Sequence, residues 1–349
     1  MIKKSLLISL SLILVTALLI PACAAPTEEA AKPAEEAGVV EEAEKVVYKI
    51  GYIQSQPDAY YQMQVDSAQM VVDYINENEP FGIEFTVVLS EGSPEKELAI
   101  LEDFVVQEYD AIIAFTTAAE AAQKGACITN DANIPFFVVG STPAEGPCTV
   151  TSNIKGDFVV MGGMIGKYVA DHYPESKIAI VEGGLGQGIV EPFEEGFEAN
   201  LASTNEVVLK APADWSAEKA QNIMSDWMAN WKEGDFDLVY AMNADIYLGS
   251  VIAIKDAGRL NNPIKIITHN GRPEDFAGVM DGDAIATNSN SPTYEAGVLM
   301  KAVVQVLNGG TIPILIITPA TMVDKDTPEN LLGWEVDKGI VAYQEYIIQ

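Results

Sequence analysis

Short β-branched apolar runs alternate with longer amphipathic segments from residue 46 onward, and no other feature restricts the fold of this chain so strongly. Val47–Ile53, Ile83–Leu89, Ala111–Phe115 and Pro135–Val139 read as strands, separated by helical patterns over Tyr60–Glu77, Pro94–Gln107 and Ala118–Asn130. The strand runs are nearly continuous in apolar residues, as strands covered on both faces require. After Thr149–Asn153 the rhythm restarts. Strands are expected at Lys177–Val181, Val207–Ala211, Leu238–Ala241, Ile264–Thr268, Ala284–Asn288 and Ile314–Thr318, with helices between them. The pattern predicts an α/β protein of two doubly wound parallel-sheet lobes, and roughly 300 residues are enough for two such lobes.

The first 45 residues are of another kind. Lys3 and Lys4 precede an apolar run from Ser5 to Ile20, which is too short and too abruptly ended for an ordinary spanning helix, and Ile20-Pro21-Ala22-Cys23 follows. This resembles a bacterial lipobox, although Ile20 and Pro21 depart from the favoured Leu and Ala/Ser. Residues 1–22 are expected to be a lipoprotein signal peptide, with Cys23 acylated so that lipid chains anchor the protein to a membrane. The alternative is a plain signal peptide cut near Ala25. Residues 23–45 are Ala, Glu, Pro and Gly with little to bury, which predicts a flexible acidic tether. The expected location is exported and membrane-anchored, in a periplasm or on the outer face of a cell membrane.

Lys plus Arg number 20 against 51 Asp plus Glu, a formal charge of -31, which opposes nucleic acid and excludes it as a partner. Arg259 and Arg272 are the only arginines, so a ligand needing several bidentate clamps is disfavoured. With Cys23 lipidated, Cys127 and Cys148 remain as an even pair, expected to form one disulfide in an exported protein. Two buried free thiols are the alternative.

Signals for catalysis are weak. Gly183-Gly184-Leu185-Gly186-Gln187-Gly188 follows a strand and precedes a helix, but a dinucleotide fingerprint begun at Gly184 would need glycine at Ile189. Gly162, Gly166 and Lys167 miss the phosphate-loop spacing, and Tyr168 replaces its Ser/Thr, so close helix packing is the better role. His172 and His269 lie far apart with no Cys/His cluster, and no Gly-x-Ser-x-Gly exists. The reading is therefore a binding protein with no catalytic residue, metal or cofactor.

Aromatic and amide residues gather where strands end. Asp58, Tyr60 and Tyr61 follow the first strand, and Trp215, Asn243, Asn270 and Asn290 follow later ones. Ligands of open α/β sheets bind outside the carboxyl ends of strands. Aromatic faces there can sandwich a sugar ring while amides and carboxylates meet its hydroxyls. Each residue also has a plainer reading: Tyr60 and Tyr61 as first-turn surface, Trp215 as core, Asn243 and Asn270 as helix caps.

From about Val46 to Val323 the chain resembles the type I periplasmic sugar-binding proteins of ABC importers, the ribose-binding-like group, itself related to sugar-responsive repressors. The matching motifs include Asp58-Ala59-Tyr60-Tyr61 before Asp66-Ser67-Ala68, where the family has Asn-Pro-Phe-Phe before Asp-Gly-Ala. Further matches are Pro94-Glu95-Lys96-Glu97, Ala132-Asn133-Ile134-Pro135, Gly196-Phe197, Pro212-Ala213-Asp214-Trp215 and Ala241-Met242-Asn243-Ala244-Asp245. The resemblance puts Tyr60, Tyr61 and Trp215 on stacking aromatics and Asp58, Asn243, Asn270 and Asn290 on polar ligand contacts. It also places Ser141 and Glu191 where ribose binders carry arginines, and Asn270 where they carry an aspartate. These departures put ribose in doubt and leave another sugar, a polyol, a nucleoside or a signalling furanose. The family's three-crossing hinge would fall near Asn153, Asn290 and Pro319, giving lobes of residues 46–152 plus 291–318 and 153–290 plus 319–349. The implied partners are a small-molecule ligand and an ABC permease with its ATPase, met by a monomer. A sensing partner of a membrane chemoreceptor or sensor kinase is the alternative.

Overall fold

The computed structural model describes residues 45–348; Cys23 and the residues expected to form the signal peptide and the tether, as far as residue 44, lie outside the described residues. The first lobe begins β1 (Val47–Gln54), α1 (Ala59–Asn78), β2 (Gly82–Leu89), α2 (Pro94–Val106), β3 (Ala111–Ala114), α3 (Ala119–Ala132), β4 (Phe136–Val139) and β5 (Ser152–Gly156). Every residue of β3 and β4 is buried, which is why their sequences read as continuous apolar runs. The chain then passes to the second lobe with α4 (Phe158–His172), β6 (Lys177–Glu182), α5 (Val190–Ala199), β7 (Glu206–Pro212), α6 (Ala217–Asn230) and β8 (Leu238–Ala241). That lobe continues through α7 (Ala244–Asp256), β9 (Lys265–Asn270), α8 (Pro273–Asp281) and β10 (Ala286–Asn290). Helix α9 (Pro292–Leu307) and β11 (Leu315–Thr318) return to the first lobe, and β12 (Ala320–Asp324) goes back to the second. The result is two six-stranded sheets, ordered β11-β5-β4-β3-β1-β2 and β12-β10-β9-β8-β6-β7.

Three details differ from the sequence expectation. The first crossing comes after Gly156 rather than near Asn153, because Ile154, fully buried, pairs with both Val139 and Ile316 in the first sheet. Strand β12 runs antiparallel to β10, so the second sheet carries one antiparallel edge. The tail does not stay on the second lobe. Helix α10 (Lys338–Glu345) packs against α1 and α9 of the first, where Ser67 Oγ donates to Val336 O at 3.0 Å and a Cβ on Gly297 would strike the Gly339 carbonyl.

Cys127 on α3 and Cys148 in the loop before β5 are joined, their Cα atoms 5.1 Å apart. Gly162 and Gly166 have the packing role expected of them: a Cβ on either would collide with the backbone of Phe193 or Phe197, and one on Gly196 with that of Val159. Glycines on both helices thus let α4 and α5 approach closely, which sets where the side chains of α5 point.

Candidate ligand-binding site

Between the lobes, at the carboxyl ends of both sheets, lies a cleft enclosing about 60 Å³ open to the centre of a water molecule. Asp58, Tyr60, Tyr61, Phe115, Gly140 and Glu295 face it from the first lobe, and Phe158, Ile189, Phe193, Trp215, Met242, Asn243, Asn270 and Asn290 from the second and its hinge. Seven of the sequence-predicted contacts therefore meet at one place.

On the first lobe, Asp58 Oδ1 accepts from the Tyr61 backbone N–H at 3.1 Å and caps α1, which fixes both tyrosines in the helix's first turn. The Tyr61 ring packs edge-on to Phe115 with centroids 4.2 Å apart. Tyr60 donates its hydroxyl to Glu295 Oε2 at 3.3 Å and accepts from Asn290 Nδ2 at 2.9 Å. Trp334, edge-on to Tyr60 at 5.4 Å, donates Nε1–H to the carbonyls of Asn290 and Asn270 at 2.9 and 3.2 Å. The hinge backbone is thus tied to the aromatic wall.

On the second lobe, Trp215 follows β7 with φ +62°, directly after Asp214 at +50°. Consecutive left-handed residues that bear Cβ atoms are strained, and such strain concentrates at functional sites. The conformation lays the indole over Gly183, where any Cβ would fall inside the ring, and Nε1–H donates to Gln187 Oε1 at 2.6 Å. The glycine cluster accordingly makes room for an aromatic side chain rather than for a phosphate. Asn243 Oδ1 caps α7 through the Ile246 N–H at 2.8 Å, and Asn270, at φ +99°, accepts from the Ala244 N–H at 3.1 Å and donates to Asn290 Oδ1 at 3.3 Å. Asn243 is cap and cleft wall at once.

Burial dominates the electrostatics. Desolvation raises the Asp58 carboxyl to about 7 against the lowering effect of its cap N–H groups, with Asp245 adding to the rise and Arg272 opposing it. Glu295, 2 % exposed, is raised to about 8 by burial despite hydrogen bonds from Tyr60 and Thr318, so it is largely protonated at neutral pH. Among the described residues of the wall none is basic. The Arg272 guanidinium stands behind it, held by Asp245 at 3.0 Å and Glu274 at 2.9 Å. This is a nearly neutral, ring-lined cleft with amides along one edge.

Two predicted contacts are not brought into the wall. Ser141 is fully buried just beyond β4 and donates to the Val139 carbonyl at 3.4 Å, while its neighbour Gly140 faces the cleft. Glu191 is exposed in the first turn of α5 and accepts from the Gly186 N–H at 3.1 Å; Phe193, two residues on, takes the place in the wall. Sequence reasoning passed over Phe115, Phe158, Ile189, Phe193, Met242 and Glu295. Phe193 belongs to the apolar stripe Val190/Phe193/Phe197, which reads as core from periodicity, and a lone glutamate in a helix's first turn carries no signal.

The cleft at the strand ends of two hinged α/β sheets defines the class, and over residues 50–311 the chain belongs to the periplasmic binding protein domain family. The ribose import binding protein RbsB of Haemophilus influenzae is 28% identical over 229 residues, 65% of this chain and 74% of that protein. The galactofuranose-binding protein YtfQ of Escherichia coli is 24% identical over 272 residues, 76% of this chain and 85% of that protein. A solute-binding protein of an ABC transporter from Bacillus halodurans, solved with bound myo-inositol, shares the fold with a TM-score of 0.76 at 22% identity, covering 82% of this chain and 98% of that one.

Proposed function

We propose that this protein is the extracytoplasmic substrate-binding component of an ABC importer. It closes its lobes on one small neutral sugar or sugar-like ring and hands it unchanged, as a monomer, to a permease–ATPase complex. The observation that carries the reading is the wall itself: Tyr60 and Tyr61 from one lobe and Trp215 from the other, with Asn243, Asn270 and Asn290 beside them. Ring C–H faces stack on aromatics, and amides serve hydroxyls as donor and acceptor. The size agrees. Where one water position needs about 10–15 Å³, the cleft replaces about four to six waters, on the order of 120–180 Å³ of liquid and so a single ring. Ligand touching both lobes favours the closed form, which is the form a transporter can distinguish. Acylation of Cys23 would hold the tethered domain at the membrane surface.

A thermal-shift screen against neutral sugars, polyols, nucleosides and amino acids tests this. A ligand at a hundred times its Kd adds about 2.7 kcal/mol, so one of the first three classes should raise Tm by about 5 °C or more. No shift with any of them, beside a clear shift with an amino acid, would overturn it.

A further inference from the structure

Most hydrogen-bonding atoms in the cleft are already engaged with the protein. Both Glu295 oxygens are engaged, Oε2 accepting from Gln64 at 2.7 Å and Tyr60 at 3.3 Å, and Oε1 paired with the Thr318 hydroxyl, which can take the carboxyl proton, at 3.4 Å. The Tyr60 hydroxyl both donates and accepts, and Trp215 Nε1–H is taken by Gln187. Asn270 and Asn290 spend their carbonyl oxygens and one N–H each on Ala244, on each other and on Tyr60. What remains for a ligand is the second oxygen of Asp58, the Asn243 amide N–H pair, one N–H each from Asn270 and Asn290, and the Tyr61 hydroxyl beside Gln187 and Ser55. These lie together, because the Ala244 N–H next to Asn243 bonds Asn270, Asn270 bonds Asn290 and Asn290 bonds Tyr60 in one row. The rest of the wall is different: the side chains of Phe158 and Phe193, 5.1 Å apart, with Ile189, Phe115 and Met242, offer a hydroxyl no N–H or oxygen, only the weakly accepting Met242 sulfur.

From this inventory, and resting on the reading of the cleft as a sugar-like-ligand site, we propose that the ligand is a hydroxyl-poor ring. It is a deoxy- or methyl-substituted sugar or polyol that presents two or three neighbouring hydroxyls to the Asp58/Asn243/Asn270/Asn290 edge and hydrogens or a methyl group to the Phe158/Phe193/Ile189 wall. A fully hydroxylated hexose carries hydroxyls all round its ring, whereas the free groups lie along one edge, so some of them must turn to the apolar wall. Each one turned to the phenylalanine wall loses its water without a partner, which weakens binding roughly tenfold to a hundredfold. A methyl in that place gains contact instead.

Calorimetric titration of the wild-type protein with matched pairs decides the matter: L-rhamnose against L-mannose, D-fucose against D-galactose, 2-deoxy-D-ribose and methyl β-D-ribofuranoside against D-ribose. In the pair that binds most tightly, the deoxy or methyl member should bind at least about tenfold better than its parent. Parity, or preference for the parent, overturns the proposal while leaving the sugar-binding function in place. Binding of none of these compounds, together with a negative thermal screen, overturns the functional reading and this proposal with it. Phe158→Tyr and Ile189→Thr place a hydroxyl in the apolar wall and should each shift the preference toward the parent by about threefold or more. An unchanged ratio in both, with folding intact by circular dichroism, also refutes the assignment.

Discussion

Trp215 can be removed in two ways that should differ in stability and agree in binding. Its indole is 8 % exposed, lies over Gly183 and donates to Gln187 at 2.6 Å, but one side faces the cleft. Truncating a fully packed tryptophan costs about 3–5 kcal/mol. With part of the ring facing ligand space, Trp215→Ala should fall at or below the lower end, about 2–3 kcal/mol. The backbone adds a second effect, because φ is +62° at this position. A residue with a Cβ is disfavoured there by about 1–2 kcal/mol, and glycine is not. Trp215→Gly should therefore be more stable than Trp215→Ala by about 1 kcal/mol, the reverse of the order seen in a helix or strand. Both variants lose the stacking face and should bind the ligand identified by thermal screening about thirtyfold more weakly, a loss of about 2 kcal/mol. Urea unfolding and calorimetry measure the two quantities separately. Wild-type affinity with a large fall in stability would make Trp215 a core residue, and an alanine variant as stable as the glycine one would refute the strained backbone.

Buried carboxyls give stability a sign against pH. Glu295 and Asp275 are raised by burial to about 8 and about 7, so between about pH 5 and 7 the folded protein keeps protons that the unfolded chain has released. Stability must fall as pH rises through that window, by up to about 1.4 kcal/mol per pH unit for each such group. Glu295→Gln should remove one of these slopes in urea unfolding at pH 5, 6 and 7; an unaltered slope would show that Glu295 is ionised in the folded state. The Cys127–Cys148 bridge spans a sequence separation of 21. Reducing it should cost about 3 kcal/mol in the chain-entropy view, and thiol titration of denatured, unreduced protein should find neither cysteine reactive. At the amino terminus, mass spectrometry of the mature protein should find acyl groups on Cys23, and an unmodified start downstream of it would remove the anchor.

How far the fold could be read in advance follows from burial. Strands β3, β4 and β8 are buried at every position, so their composition alone marks them. Strand β12, mostly half-buried at a sheet edge, has no comparable signature, and α10 lacks a side-chain N-cap and a basic last turn. The tail's return to the first lobe depends on the Gly297–Gly339 approach, a tertiary contact with no local sign. At the site, strand ends located Tyr60, Tyr61, Trp215 and the asparagines. Ser141 and Glu191 rest on the resemblance to a family pattern, which transfers a position but not the direction of a side chain. One residue's difference along the chain turns Gly140 rather than Ser141 to the cleft.

Closure itself is partly written into the protein. The Ala119 N–H on the first lobe donates to the Gly186 carbonyl on the second at 3.0 Å, and Gly188 sits so close to the Thr142 carbonyl that a Cβ there would collide. Gln187, between them in sequence and 4 % exposed, accepts from Trp215 and lies within hydrogen-bonding reach of the Tyr61 hydroxyl across the lobes. These contacts join the lobes through protein atoms alone, so they favour the closed form without selecting any ligand. A ligand shifts the equilibrium only by its difference in affinity for the two forms. On the proposed reading that difference comes from the split wall, because Tyr60 and Tyr61 belong to one lobe and Trp215 to the other and an open form would offer only part of it. Gln187 thus lowers the shift the ligand must supply, while the split aromatic wall ensures that a molecule touching one lobe alone supplies little of it.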